Sequence, residues 1–108
     1  MTTSSMSYSR NDVVLLPIPF TDLSSIKVRP GVVIGKNAAD LFLIPISSQL
    51  QNVDFALQEW RAAGLNVACG IKAQVATVEE RLVLKKVGTL STVDREHLNT
   101  RLKAWFQL

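Results

Sequence analysis

The sequence is short of the side chains on which many protein chemistries depend. It holds one cysteine, Cys69, and one histidine, His97. A lone cysteine excludes an internal disulfide framework, and the pair cannot supply the ligand spacing of a zinc site. The chain carries no glycine-rich phosphate loop, no paired-histidine motif and no local Ser/His/Asp signature, which removes the usual sequence marks of nucleotide hydrolases, zinc hydrolases and triad enzymes. No metal and no organic cofactor are expected. No apolar run is long enough to span a bilayer, and residues 1–10, rich in Ser and Thr, lack the apolar core of a signal peptide. The expectation is a cytoplasmic protein that neither enters nor crosses a membrane. Charge is also sparse: 19% of residues are charged, and 12 Lys+Arg against 9 Asp+Glu leave a net +3. That balance hints at a polyanionic partner and no more, because phosphate binding depends on local clustering of cations rather than on their total.

What is present is a foldable apolar pattern. With 47% hydrophobic residues in 108, the chain can build one core without staples. Residues 1–9 have too little apolar content to offset the entropy of ordering them, so they are expected to form a flexible segment before a single domain over residues 10–108. Residues 12–16 read as a buried strand stopped by Pro17 and Pro19, followed by a loop over residues 17–27 in which Thr21, Asp22, Ser24 and Ser25 satisfy turn backbone. Residues 28–35 form a second strand ending in turn chemistry at Gly35-Lys36-Asn37. Residues 41–47 form a third, close enough to make a hairpin with it. Pro45 predicts an edge position or a bulge for that third strand. A short strand over residues 53–57, a helical turn over residues 58–63 closed by Gly64, and one or two further strands within residues 67–85 follow. Ser91 is a helix N-cap with an acidic first turn, and Leu98, Leu102 and Trp105 recur at helical spacing behind it. Five or six short strands and one terminal helix predict a mainly β fold, a strongly bent sheet or partly closed barrel.

Two segments carry candidate chemistry: Lys27-Val28-Arg29-Pro30, opening one strand, and Ser47-Ser48-Gln49, closing its neighbour. Pro30 holds Arg29 extended and withdraws a ladder donor just after it, which aims the guanidinium out of an abrupt strand start. Antiparallel pairing would lay the start of one strand beside the end of the other and bring Arg29 near Ser47. Arginine matches phosphate bidentately, and a hydroxyl adds a bond to a phosphate oxygen or a sugar. Each segment taken alone is ordinary strand and turn chemistry. His97, inside the last helix, reads as a surface or packing residue, and Cys69 as a small buried hydrophobe.

The order of short motifs adds to this. Asn11-Asp12-Val13-Val14-Leu15, Pro19-Phe20-Thr21-Asp22, Arg29-Pro30-Gly31-Val32-Val33-Ile34 and Pro45-Ile46-Ser47-Ser48-Gln49 follow one another as in the MazF/PemK toxins, which the chain resembles. Ala63-Gly64-Leu65, a strand over residues 72–77 and Lys86-Val87-Gly88-Thr89-Leu90-Ser91 extend the resemblance across nearly the whole chain from Arg10. It implies an SH3-like β-barrel with a C-terminal helix. It further implies a bacterial homodimer that cuts single-stranded RNA without metal and is silenced by a partner antitoxin. Arg29 then falls on the family's catalytic arginine and Ser47 on a position usually held by threonine, with the hydroxyl kept. Lys27, Ser48, Gln49, Lys72 and Gln74 become candidate RNA contacts. Lys72-Ala73-Gln74 stands where members carry Arg-x-Asp, and the first loop lacks the histidine some members use.

The implied reaction is attack by the RNA 2′-hydroxyl on the adjacent phosphorus, with Arg29 stabilising charge and Ser47 bonding the phosphate. Fold alone does not settle function. Related barrels poison DNA gyrase by contact, a reading that would rest on Trp105 and Phe106. An inactive barrel that binds only antitoxin or nucleic acid is the third alternative.

Overall fold

The computed structural model describes residues 7–18 and 27–108. Among the described residues, seven antiparallel strands and one α-helix follow in chain order: β1 Asp12–Ile18, β2 Lys27–Asn37, β3 Asp40–Ser47, β4 Phe55–Ala56, β5 Gly70–Ile71, β6 Ala76–Glu79, β7 Lys85–Thr89 and α1 Thr92–Phe106. The sheet runs β4-β5-β3-β2-β1-β7, with β6 also paired to β3. This is the mainly β, half-open barrel with a C-terminal helix that the pattern predicts. It has one strand more than the five or six expected, because the stretch over residues 67–78 divides into β5 and β6. No helix among the described residues is long and apolar enough to cross a membrane.

The central strands are buried on both faces, and their period-two geometry sorts their side chains into two cores. Val13, Val32, Ile44 and Ile46 enter one, which α1 covers with Leu98 and Leu102. Val14, Leu16, Val33 and Leu43 enter the other, inside the curl of the sheet. Two irregularities bend the ladder: an extra residue in β2 between Val33 and Gly35, and one in β7 opposite Val13 and Val14. Bulges of this kind raise local twist and help a sheet curl.

Several expectations are corrected here. Pro17 does not stop β1, which runs on to Ile18 with Pro17 opposite Val28. Leu84 N–H donates to the Leu15 carbonyl at 2.8 Å, so Leu15 faces β7. Pro17, two residues later, turns its missing donor the same way, beyond the last β7 pair. Pro45 does not mark an edge either, since β3 has partners on both sides. Its backbone faces the junction where β6 has ended at Leu43 and β5 begins at Ile46, and its carbonyl accepts from Lys72 N–H at 3.1 Å. Gly35-Lys36-Asn37 is strand rather than turn. The hairpin closes at Ala38-Ala39, with Ala38 at φ 54°. The strand expected over residues 72–77 begins only at Ala76. Pro19-Phe20-Thr21-Asp22 and the loop residues Ser24 and Ser25 lie outside the described residues, as do residues 1–6. Within residues 7–9, Tyr8 packs on the second core and Ser9 N–H donates to the Asp12 carboxylate at 2.8 Å.

The helix is held at its start by two devices. Ser91 caps it, its hydroxyl accepting from Asp94 N–H at 3.4 Å. Asp94 is fully buried, and its carboxylate accepts from the backbone N–H groups of Gln58 and Glu59 at 2.9 Å each. The first turn of α1 thereby anchors the turn over residues 58–64. That turn ends, as expected, at Gly64, with φ +87°.

Candidate active-site cleft

Pairing between β1 and β2 is antiparallel with Leu15 opposite Pro30, and pairing between β2 and β3 places Gly31 opposite Pro45. Two residues further in the same register, Arg29 on β2 would face Ser47 on β3. Both residues line one cleft of about 420 Å³ at this end of the sheet. Its floor is the cross-strand row of Leu15, Pro30 and Ile46, and Lys85, opposite Leu15 on β7, forms the far side. Gly64, Leu65, Asn66 and Val67 arch over it.

The arch is fixed by two glycines that let backbones touch. A Cβ on Gly64 would lie 2.1 Å from the Val87 carbonyl oxygen, and one on Gly88 would lie 2.3 Å from that of Ala63. No other residue type has room at either place. Asp94 holds the preceding residues from the other side, so the arch is clamped between β7 and α1.

Among the described residues, those lining the cleft include Arg29 and Lys85 but no Asp or Glu. The charge is of one sign in a walled space, which favours an anion. Arg29 and Ser47 are half-buried. Ser47 Oγ accepts from Gln49 N–H at 3.0 Å, and a hydroxyl that accepts there still carries a proton to donate. Burial raises the thiol pKa of Cys69, which also lines the cleft and donates to the Val67 carbonyl at 3.3 Å. It is a buried thiol, as expected, rather than an activated one.

Of the seven candidate residues, the cleft brings together Arg29, Ser47 and Ser48. Lys27 and Gln49 sit just outside it on the same strand ends, both exposed. Lys72 and Gln74 are half-buried in the link between β5 and β6 and do not line it. His97 is remote from its lining, stacked on Phe55 with ring centroids 3.9 Å apart. The sequence reading missed Lys85 and Asn66. The available signal was Gly88, three residues beyond Lys85, a glycine in a strand and hence a mark of close backbone approach. No three His, Cys, Asp or Glu side chains gather as a metal site among the described residues.

The profile of a protein family described as the PemK-like, MazF-like toxin of type II toxin-antitoxin systems matches residues 9–106. A comparison with curated proteins finds no match. The profile spans almost all of the described chain, including every strand, the cleft and the helix, and type II toxins work against a partner antitoxin. The chain belongs to the PemK/MazF-like family of type II toxins.

Proposed function

We propose that this toxin is a metal-independent endoribonuclease that cuts single-stranded RNA, messenger RNA included, in the cytoplasm, acts as a homodimer, and is neutralised by its antitoxin. The observation that carries the reading is that Arg29 and Ser47, from adjoining strand ends, line one cleft whose lining holds no carboxylate among the described residues.

The chemistry needs little from the protein because RNA supplies its own nucleophile. The 2′-hydroxyl oxygen attacks the adjacent phosphorus and gives up its proton to solvent water. The bond to the 5′ oxygen breaks, that oxygen takes a proton, and the products are a cyclic phosphate and a free 5′-hydroxyl. The protein must hold a splayed strand with attacking and leaving oxygens in line and offset the charge gathering on the phosphorane oxygens. Arg29 suits the second task, since its planar fork matches two phosphate oxygens and stays protonated. It can also donate a hydrogen bond to the leaving oxygen while solvent supplies that oxygen's proton. Ser47 donates to the same phosphate. Ser48, at the rim of the cleft, and Lys27, Gln49, Lys72 and Gln74, outside it, extend the strand's path.

The test is incubation with a long single-stranded RNA in EDTA, followed by analysis of fragment ends. Cleavage should survive the chelator and leave cyclic phosphate and 5′-hydroxyl termini. Arg29→Ala should abolish it in a folded protein, a loss of about 100-fold or more, as for removal of a charge-stabilising donor. Ser47→Ala should slow it while Ser47→Thr retains it. Cutting by Arg29→Ala at the parent rate would remove the assignment.

A further inference from the structure

Lys85 lines the same cleft as Arg29 and Ser47. Its neighbour Lys86 is ion-paired to the buried Asp12 at 3.2 Å, whereas Lys85 is exposed and takes part in no ion pair among the described residues. Its placement is rigid at the backbone: it pairs with Leu15 on β1, and the bulged residue two places on is pressed against Gly64. Arg29 on β2 and Lys85 on β7 are two strands apart. At the ordinary strand spacing their backbones are separated by about 10 Å, wider than one phosphate group. Ser47 already flanks Arg29 on its other side. Between the two strands lies Leu15 of β1, and Asn66, whose amide is able to bond a base edge, lines the same cleft.

We infer that Lys85 holds the RNA phosphate next to the one gripped by Arg29 and Ser47, so that the strand crosses the sheet from β3 toward β7 with one base lodged under Asn66. This rests on the ribonuclease reading for which phosphate is broken, but the phosphate contact itself does not require cleavage. Lys85 is a binding and positioning residue. It supplies a point charge on a flexible stem, suited to an anchoring phosphate, while the planar fork of Arg29 faces the reacting one.

The contact predicts a salt signature. Each phosphate neutralised on a single strand adds about −0.7 to the slope of log affinity against log salt concentration. Binding of a random-sequence single-stranded DNA oligonucleotide, which lacks the 2′-hydroxyl, should therefore weaken about three- to tenfold in Lys85→Ala at low salt, with the slope shallower by about 0.7. Lys85→Arg should restore both. On cleavable RNA the loss should fall on KM more than on kcat. Parent affinity and parent slope in Lys85→Ala overturn the proposal, as does a loss confined to kcat. If the parent protein binds the oligonucleotide with a Lys85-dependent slope yet cuts no RNA, the contact stands and the nuclease reading fails. If the parent cuts RNA and Lys85→Ala matches it in KM and slope, the nuclease reading stands and the contact fails. If the parent does not bind single strands at all, both fail.

Discussion

Gly88→Ala isolates the device that holds the arch over the cleft. Gly88 lies in β7 without a positive φ, so alanine suits its backbone, and restricting the unfolded chain would favour the variant by about 0.4–1 kcal/mol. The added methyl, however, meets the Ala63 carbonyl oxygen at 2.3 Å and its carbon at 2.5 Å. These are backbone atoms of a turn held from behind by Asp94, so they cannot swing aside as a side-chain tip would. Forcing such a contact apart costs about 1–3 kcal/mol, which outweighs the gain. For a domain near this size each kcal/mol shifts Tm by about 4–8 °C, so a fall of roughly 10 °C is expected. Urea denaturation should show a lower midpoint at unchanged slope, because the surface exposed on unfolding stays the same. Gly35→Ala is the control: its methyl meets only the Phe42 ring edge at 3.3 Å, a side chain able to yield, and stability should stay within about 0.5 kcal/mol of the parent. RNA cleavage should drop in Gly88→Ala even below its melting range, because the arch is displaced, and should persist in Gly35→Ala. A Gly88→Ala protein as stable as the parent, or more so, would refute the claim that backbone contact sets the arch.

The buried Asp94 carboxylate supports two N–H groups, and Asp94→Ala leaves both without that acceptor; at about 1–3 kcal/mol for each unsatisfied group, a loss of about 2–6 kcal/mol is expected by chemical denaturation. Asp94→Asn should recover less than half, since its amide turns a donor toward one of the two donors. Burial raises the pKa of Cys69 above the ordinary 9.0, so iodoacetamide should label the native protein slowly at neutral pH and rapidly once urea unfolds it. The sign for stability follows: the native thiol keeps its proton to higher pH than the unfolded one, so its contribution is intact below pH 9.0 and declines as pH climbs past it. A Cys69→Ala variant with the same alkaline decline would show that other groups cause it.

The elements that were legible are those whose signals are local. The Ser91 cap and the spacing of Leu98, Leu102 and Trp105 lie within one helix. Arg29 and Ser47 lie on two strands joined by a short hairpin, so antiparallel pairing alone brings them together. The far side of the cleft was not legible, because a contact between distant segments builds it. Gly64 and Gly88 each announce a close approach, but nothing in either glycine names the other as its partner. Asp94 reads as an acidic residue in a helix's first turn, yet its carboxylate leaves the helix to bind Gln58 and Glu59. Lys72 and Gln74 are candidates because the resemblance sets them where members carry Arg-x-Asp, in a β-rich stretch with a strand expected over residues 72–77. It divides instead into β5 and β6 with those residues in the link.

The prolines explain why the cleft opens at this end of the sheet. Pro17, Pro30 and Pro45 lie on three adjacent strands, Pro17 one register step from Leu16, which faces Arg29, and Pro45 opposite Gly31, next to Pro30. Each withdraws one backbone donor, and the prolines of β1 and β3 do so beside gaps where a neighbouring strand has ended. An edge missing donors is a poor template for another strand, so the sheet is not readily extended here by adding backbone. What this end offers a ligand is side chains: a guanidinium, a hydroxyl and an ammonium around an apolar floor. On the ribonuclease reading proposed above, that combination would suit a polyanion with flat apolar bases better than an extended peptide seeking ladder bonds.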